Sequence, residues 1–119
     1  MQKVILIIAA TLGGGLVIFL LGKNLYLGGS RQDKLNLASQ GKRIYTESNC
    51  HSCHGIRGKN PIAEGYPVIA GQNKTYLVAQ LKDIQNGERK NGLSAVMQRA
   101  MPQLSDEKMS AIATYLENQ

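Results

Sequence analysis

The 119-residue chain has no tryptophan, one phenylalanine, two cysteines and two histidines. With so few large aromatics, it holds little bulky material for a core. A small domain that buries little surface commonly depends on a disulfide, a metal or a cofactor. The two cysteines, Cys50 and Cys53, share one pentapeptide. A bond between them would close a tight turn and constrain little unfolded chain, so this pair points to chemistry rather than stapling. Every His and Cys lies within positions 50–54, too crowded for all four to reach one tetrahedral zinc. No segment alternates apolar and polar residues as a half-buried strand would, so the expected fold is all-α. A thioredoxin-like redox pair, which belongs beside a βαβ unit, finds no support.

Charge of one sign is in excess: the net charge is +6. From Lys34 onward eleven Lys and Arg face seven Asp and Glu, so this part keeps a balance of +4. Two readings fit, a generic solvated surface and a docking face for an acidic partner, where charge speeds encounter more than it adds affinity. The basic residues are scattered and not interleaved with stacking aromatics, so nucleic acid is not an expected partner.

Long apolar runs are confined to one place. Residues 4–21 are apolar except for Thr11 and the triplet Gly13, Gly14 and Gly15, and Lys23 closes the run. Eighteen residues is near the lower limit for a helix crossing a bilayer. A cleavable signal peptide ending near Ser30 is the competing reading. The run is longer than a usual signal core, which favours a retained transmembrane anchor over residues 1–23. The segment 24–33, with Gly28, Gly29 and Ser30, then reads as a flexible tether and 34–119 as the folded domain.

Three helical stretches follow. Residues 33–47 place Leu37, Gly41, Ile44 and Tyr45 on one face, with Asp33 as a cap. Glycine inside a helix costs about 1 kcal/mol relative to alanine, a cost explained if a second helix crosses closely at Gly41. Residues 75–86 carry Leu77, Val78, Leu81 and Ile84 at helical spacing, with Gly87 as the C′ residue. Residues 105–118 start with Ser105 as N-cap and Asp106 and Glu107 in the first turn, and Met109 falls at core spacing. The intervening stretches 55–74 and 88–104 show little regular pattern and are expected to be loops that wrap a ligand.

Cys50-His51-Ser52-Cys53-His54 is a C-x-x-C-H sequence, the attachment signature of c-type haem. Two thiols at this spacing can meet the two vinyl groups, and the residue that follows, His54, lies beneath the iron as proximal ligand. Its other ring nitrogen is expected to donate to a backbone carbonyl, fixing the tautomer. His51 is expected to be an exposed filler that does not face the iron. Because covalent haem attachment takes place outside the bacterial cytoplasm, the motif also places the domain at the periplasmic face of the inner membrane. A bare count of flanking positive charges would orient the anchor the other way.

No histidine follows His54, so the sixth ligand is expected to be a methionine, which raises the reduction potential. Met97 and Met101 are the candidates, and Met109 reads as a packing residue. The motif 49–55, then Tyr66-Pro67-Val68-Ile69-Ala70-Gly71-Gln72, Tyr76-Leu77, Gln80-Leu81, Gly87-Glu88-Arg89 and Leu104-Ser105-Asp106-Glu107 with Tyr115 together resemble a class I cytochrome c. More narrowly the chain is similar to a small bacterial subtype found singly in short cytochromes and twice over in dihaem ones. The resemblance covers about 36–118. It implies Met97 as the distal ligand, with Met101 second, and Pro67 as the residue whose carbonyl orients His54. It also implies that Gly41 and Tyr45 meet Tyr115 and Leu116.

The expected function is therefore single-electron transfer by a membrane-anchored monohaem cytochrome c, with one covalent haem c and no catalysis of its own. Its expected partners are redox proteins such as a quinol–cytochrome c reductase, a terminal oxidase or a dehydrogenase. Two alternatives stay open: an integral haem subunit of a membrane oxidase or dehydrogenase, and a haem-based sensor or peroxidase with a labile Met97.

Overall fold

In the computed structural model, which describes residues 30–119, Ser30 opens the first helix. Its hydroxyl accepts the Asp33 N–H at 3.1 Å, and the Asp33 carboxylate accepts the Ser30 N–H at 2.9 Å. This is a reciprocal capping box. Asp33, expected as the cap, is thus its third-residue partner, and the helix occupies residues 31–33 that had been assigned to the tether. The elements are α1 (Arg31–Glu47), α2 (His51–His54), a 3₁₀ turn (Ile56–Gly58), α3 (Lys74–Gln85), α4 (Ser94–Ala100) and α5 (Asp106–Glu117). Among the described residues there is no strand, and no helix is long and apolar enough to cross a membrane. The anchor expected over residues 1–23, and the first part of the tether, lie outside the described residues.

α5 is buried on nearly every side because α1 packs against one flank and α3 against another. Its Met109, Ala111, Ile112, Ala113, Tyr115 and Leu116 meet Ile44 and Tyr45 of α1 and Leu77 of α3. Gly41 is buried where α1 crosses α5, and the Tyr45 and Tyr115 rings lie 5.7 Å apart, tilted by 54°. That geometry suits the ring quadrupoles better than a flat sandwich does. Met109 is 1% exposed, the core residue its spacing implied.

The two long connections are fastened at specific points. The carbonyl of Gly58 accepts from both Ile69 and Ala70 N–H (3.0 and 3.1 Å), and Gly71 N–H reaches the Leu116 carbonyl at 2.8 Å. In the second connection a helix, α4, replaces the expected loop. Gln85, the last residue of α3, holds the chain beyond α4. Its Oε1 accepts from Leu104 N–H at 2.8 Å and its Nε2 donates to the Leu104 carbonyl at 3.2 Å. Gly87 follows the Asn86 C-cap with φ +73°, the left-handed C′ conformation that favours glycine.

Candidate haem-binding site

α1 ends at Glu47, and Asn49 turns the chain with φ +57°. That turn delivers the single helical turn α2, which presents Cys50, Cys53 and His54 to one cleft of about 230 Å³. α4 supplies the facing wall with Val96, Met97 and Ala100, with Leu93 just before it and Met101 just after. Tyr66 and Pro67 from the first connection and Ile84 from α3 complete the surround.

His54 is 5% exposed, and its Nδ1 lies 3.0 Å from the Pro67 carbonyl oxygen. A carbonyl can only accept, so Nδ1 carries the hydrogen, and in the neutral ring the lone pair then sits on Nε2. A neutral imidazole in that tautomer is a metal ligand. The ring of Tyr66 stands edge-on to the imidazole with centroids 6.4 Å apart. Behind it, the buried Tyr45 hydroxyl donates to the Gly55 carbonyl at 2.8 Å and pins the residue that follows His54. Gly55 has φ +76°, and a Cβ there would overlap the Asn60 carbonyl, so only glycine fits this exit from α2.

Cys50 and Cys53 are both free and half-buried. Burial pushes the Cys50 thiol up to about 11, and the nearby Cys53 adds to the effect. A thiol held protonated in this way is a poorer nucleophile and metal ligand than a thiolate. His51, expected to be exposed, is half-buried. Its Nδ1 is buried without a hydrogen-bond partner, and it does not line the cleft.

Both candidate methionines line the cleft and both are half-buried. They differ in their other contacts. Met101 also packs against the core cluster, whereas Met97 does not belong to it. The sequence reading did not single out Leu93, Val96 or Arg89 for the site, and all three line the cleft. For Leu93 and Val96 the signal was present: positions 93, 96, 97, 100 and 101 follow the i, i+3, i+4, i+7, i+8 spacing of one helix face.

An apolar cleft faced by two thiols, a lone-pair nitrogen and thioethers suits a flat apolar macrocycle that holds iron. The sequence pattern of the cytochrome c family matches residues 38–119. The chain is 40% identical over 70 residues to cytochrome c-554(548) of Halomonas halodenitrificans, covering 59% of this chain and 83% of the relative. It is 37% identical over 87 residues to a thiosulfate dehydrogenase electron acceptor of Stutzerimonas stutzeri, covering 67% and 39%. To cytochrome c4 of Pseudomonas aeruginosa it is 31% identical over 90 residues, covering 69% and 45%. The chain thus spans less than half the length of the last two relatives. It belongs to the cytochrome c family. Its cofactor is one haem c, covalently bound through Cys50 and Cys53.

Proposed function

We propose that this protein is a single-electron carrier in which His54 and Met97 hold the haem iron from its two sides. The observation that carries the reading is the bond from His54 Nδ1 to the Pro67 carbonyl, which fixes the ring and leaves Nε2 as the nitrogen free to bind a metal. Met97 is preferred to Met101 because its side chain lines the cleft without being committed to the core. Haem c, when bound, supplies the one-electron iron couple. The chain's own part would be to hold the iron through His54 and Met97, exclude water with Leu93, Val96 and Ile84, and keep these groups on helices tied to the core, so that little rearranges as charge moves. With His54 and Met97 both given to the iron, the chain would offer it no open position for a substrate.

The apolar run over 4–21 supports a domain organisation of an anchor (1–23), a tether that ends where Ser30 caps α1, and the cytochrome domain beyond it, with the haem domain at the periplasmic face of the inner membrane. Redox proteins are the partners this organisation serves, such as a quinol–cytochrome c reductase, a terminal oxidase or a dehydrogenase. One relative's name as an electron acceptor of a dehydrogenase supports the last. A stable place inside a membrane oxidase or dehydrogenase complex is the second reading, favoured by the Gly13-Gly14-Gly15 triplet in the apolar run.

Stopped-flow mixing of the reduced protein with ferricyanide and, separately, with carbon monoxide tests the carrier reading. Fast, complete one-electron oxidation without a carbon monoxide complex is expected. Rapid carbon monoxide binding would transfer the protein to the sensor or peroxidase class. Detergent extraction from native membranes separates the two carrier readings, since a free tethered carrier comes out alone and a subunit comes out with its complex.

A further inference from the structure

Two sides of α1 are accounted for within the domain. Gly41, Ile44 and Tyr45 are buried toward α5, while Gln40, Arg43 and Glu47 border a groove with Pro102, Gln103 and Lys108. A third flank remains. Arg31, Lys34, Leu35, Ala38 and Lys42 recur at i, i+3, i+4, i+7 and i+11 and so share one side of the helix. Arg31, Lys34 and Lys42 are exposed, and among them Leu35 is 54% exposed. The acidic residues of α1 lie off this flank and are engaged. Asp33 closes the capping box with Ser30, and Glu47 pairs with Arg43 at 2.9 Å. The ion pairs among the described residues are Arg43–Glu47 and Lys82–Asp106, so no cation of the flank takes part in one. No Asp or Glu precedes Asp33 in the chain.

Cations around an exposed leucine, with no acid among them, match an anionic lipid surface. The charges meet headgroups and the leucine meets the acyl boundary. The course of the chain supplies a second, independent reason. With the anchor ending at 23 and α1 capped by Ser30, the six residues 24–29 lie between them. Even fully extended, six residues reach only about 20 Å. The first turn of α1, with Arg31 and Lys34, is thereby kept close to the headgroups. Attraction to a charged leaflet acts over about 8 Å at physiological salt, a separation this short connection permits. We propose that the flank of α1 bearing Arg31, Lys34, Leu35 and Lys42 seats the haem domain on an anionic membrane surface. The seat rests on the anchor reading given above. No residue of α1 lines the haem cleft, so a domain seated on this flank keeps the cleft free for redox proteins.

The competing role is a solvated helix face. The two separate in the full-length protein carrying its haem, placed in lipid nanodiscs of phosphatidylcholine alone or of phosphatidylcholine mixed with phosphatidylglycerol. Brief treatment with a water-soluble acylating reagent, read by peptide mass spectrometry, gives a rate for each lysine. The seat predicts that Lys34 and Lys42 react about three- to fivefold more slowly in the anionic discs than in the neutral ones. Lys90 beside the cleft and Lys108 in the groove on the other side of α1, both exposed, should react alike in the two. Raising the ionic strength to about 1 M, where charge acts over about 3 Å, should abolish the difference. Arg31→Gln combined with Leu35→Gln should weaken the protection of Lys34 and Lys42 while leaving the optical spectrum as in the parent. Unchanged protection in that variant would overturn the seat. Equal rates for the parent in both discs would overturn the seat and leave the anchor standing, whether the flank is open to solvent or covered by a second copy of the chain. Haem protein that elutes apart from both kinds of disc would overturn the anchor, and the seat with it.

Discussion

Gly41 and Ala111 meet backbone to backbone where α1 crosses α5: a Cβ built on Gly41 would overlap the Ala111 carbonyl and come within 2.9 Å of the Tyr115 Cβ. The atoms it would strike are main chain and a buried Cβ, neither of which can swing aside. The helix-propensity cost of this glycine is therefore a condition for the crossing that positions Tyr45 and, through it, the exit from α2.

Gly41→Ala is accordingly expected to destabilise the haem-loaded protein despite its better helix propensity. Overpacking a tight contact typically costs about 1–3 kcal/mol, and this one should reach the upper part of that range. Guanidinium unfolding followed by far-ultraviolet circular dichroism checks it. A variant as stable as the parent would show that the helices can separate at no cost.

Tyr45→Phe removes the donor to the buried Gly55 carbonyl. Leaving a buried acceptor unpaired costs about 1–3 kcal/mol, read as a lower unfolding midpoint at neutral pH. The effect has a pH signature. Burial raises the Tyr45 pKa above its ordinary 10.0, with smaller contributions from Cys50 and Tyr115. The folded state therefore holds this proton more tightly than the unfolded chain does. The resulting stability is complete below about pH 10 and is lost as pH rises through the higher folded value. Plotted against pH, the stability gap between parent and variant should narrow above pH 10.

Met97→Ala and Met101→Ala should behave differently. The first opens the iron to added imidazole or cyanide and lowers the reduction potential. The second leaves both nearly as in the parent and costs about 2–5 kcal/mol of core packing at most, because Met101 also touches the core cluster and is only partly buried. Potentiometry with ligand titration separates them, and the reverse pattern would move the distal role to Met101.

Replacing Cys50 and Cys53 together by alanine should leave little folded protein. The residues that face the cleft, Ile84 and Leu93 among them, would lose the surface they close on, and no other covalent tie replaces the haem. Circular dichroism of the double variant measures this. A stable, helical domain would show that the three-helix core stands without the cofactor.

Much of this was readable from the residues. The three longer helices were legible because each carries a 3.6-residue apolar period and a capping signal. Ser105 marks the α5 start as expected, its hydroxyl accepting from Lys108 N–H. At α1 the cap shifted from Asp33 to Ser30, because a capping box offers two polar residues three apart and the carboxylate in the third position also bonds back. The helix α4 was hidden because Gly92 and Pro102 enclose nine residues, only seven of them helical and too short a run to stand out, and because its apolar face turns to the cleft rather than to the core. Cys50, Cys53 and His54 were legible from local spacing alone, whereas His54 reaching Pro67 follows a resemblance that the 3.0 Å contact now gives physical form. Arg89 stood in the Gly87-Glu88-Arg89 motif, but nothing in the sequence placed it at the cleft until its contacts with Gln80 and Asn91 are seen.

The most direct test of the account is the optical spectrum of the full-length protein, oxidised and then reduced with dithionite, before and after acid–acetone extraction. A low-spin c-type spectrum that resists extraction, with the ferric charge-transfer band of methionine ligation, is the predicted result. A high-spin spectrum, or haem that extracts, would contradict the two-ligand carrier built on His54 and Met97.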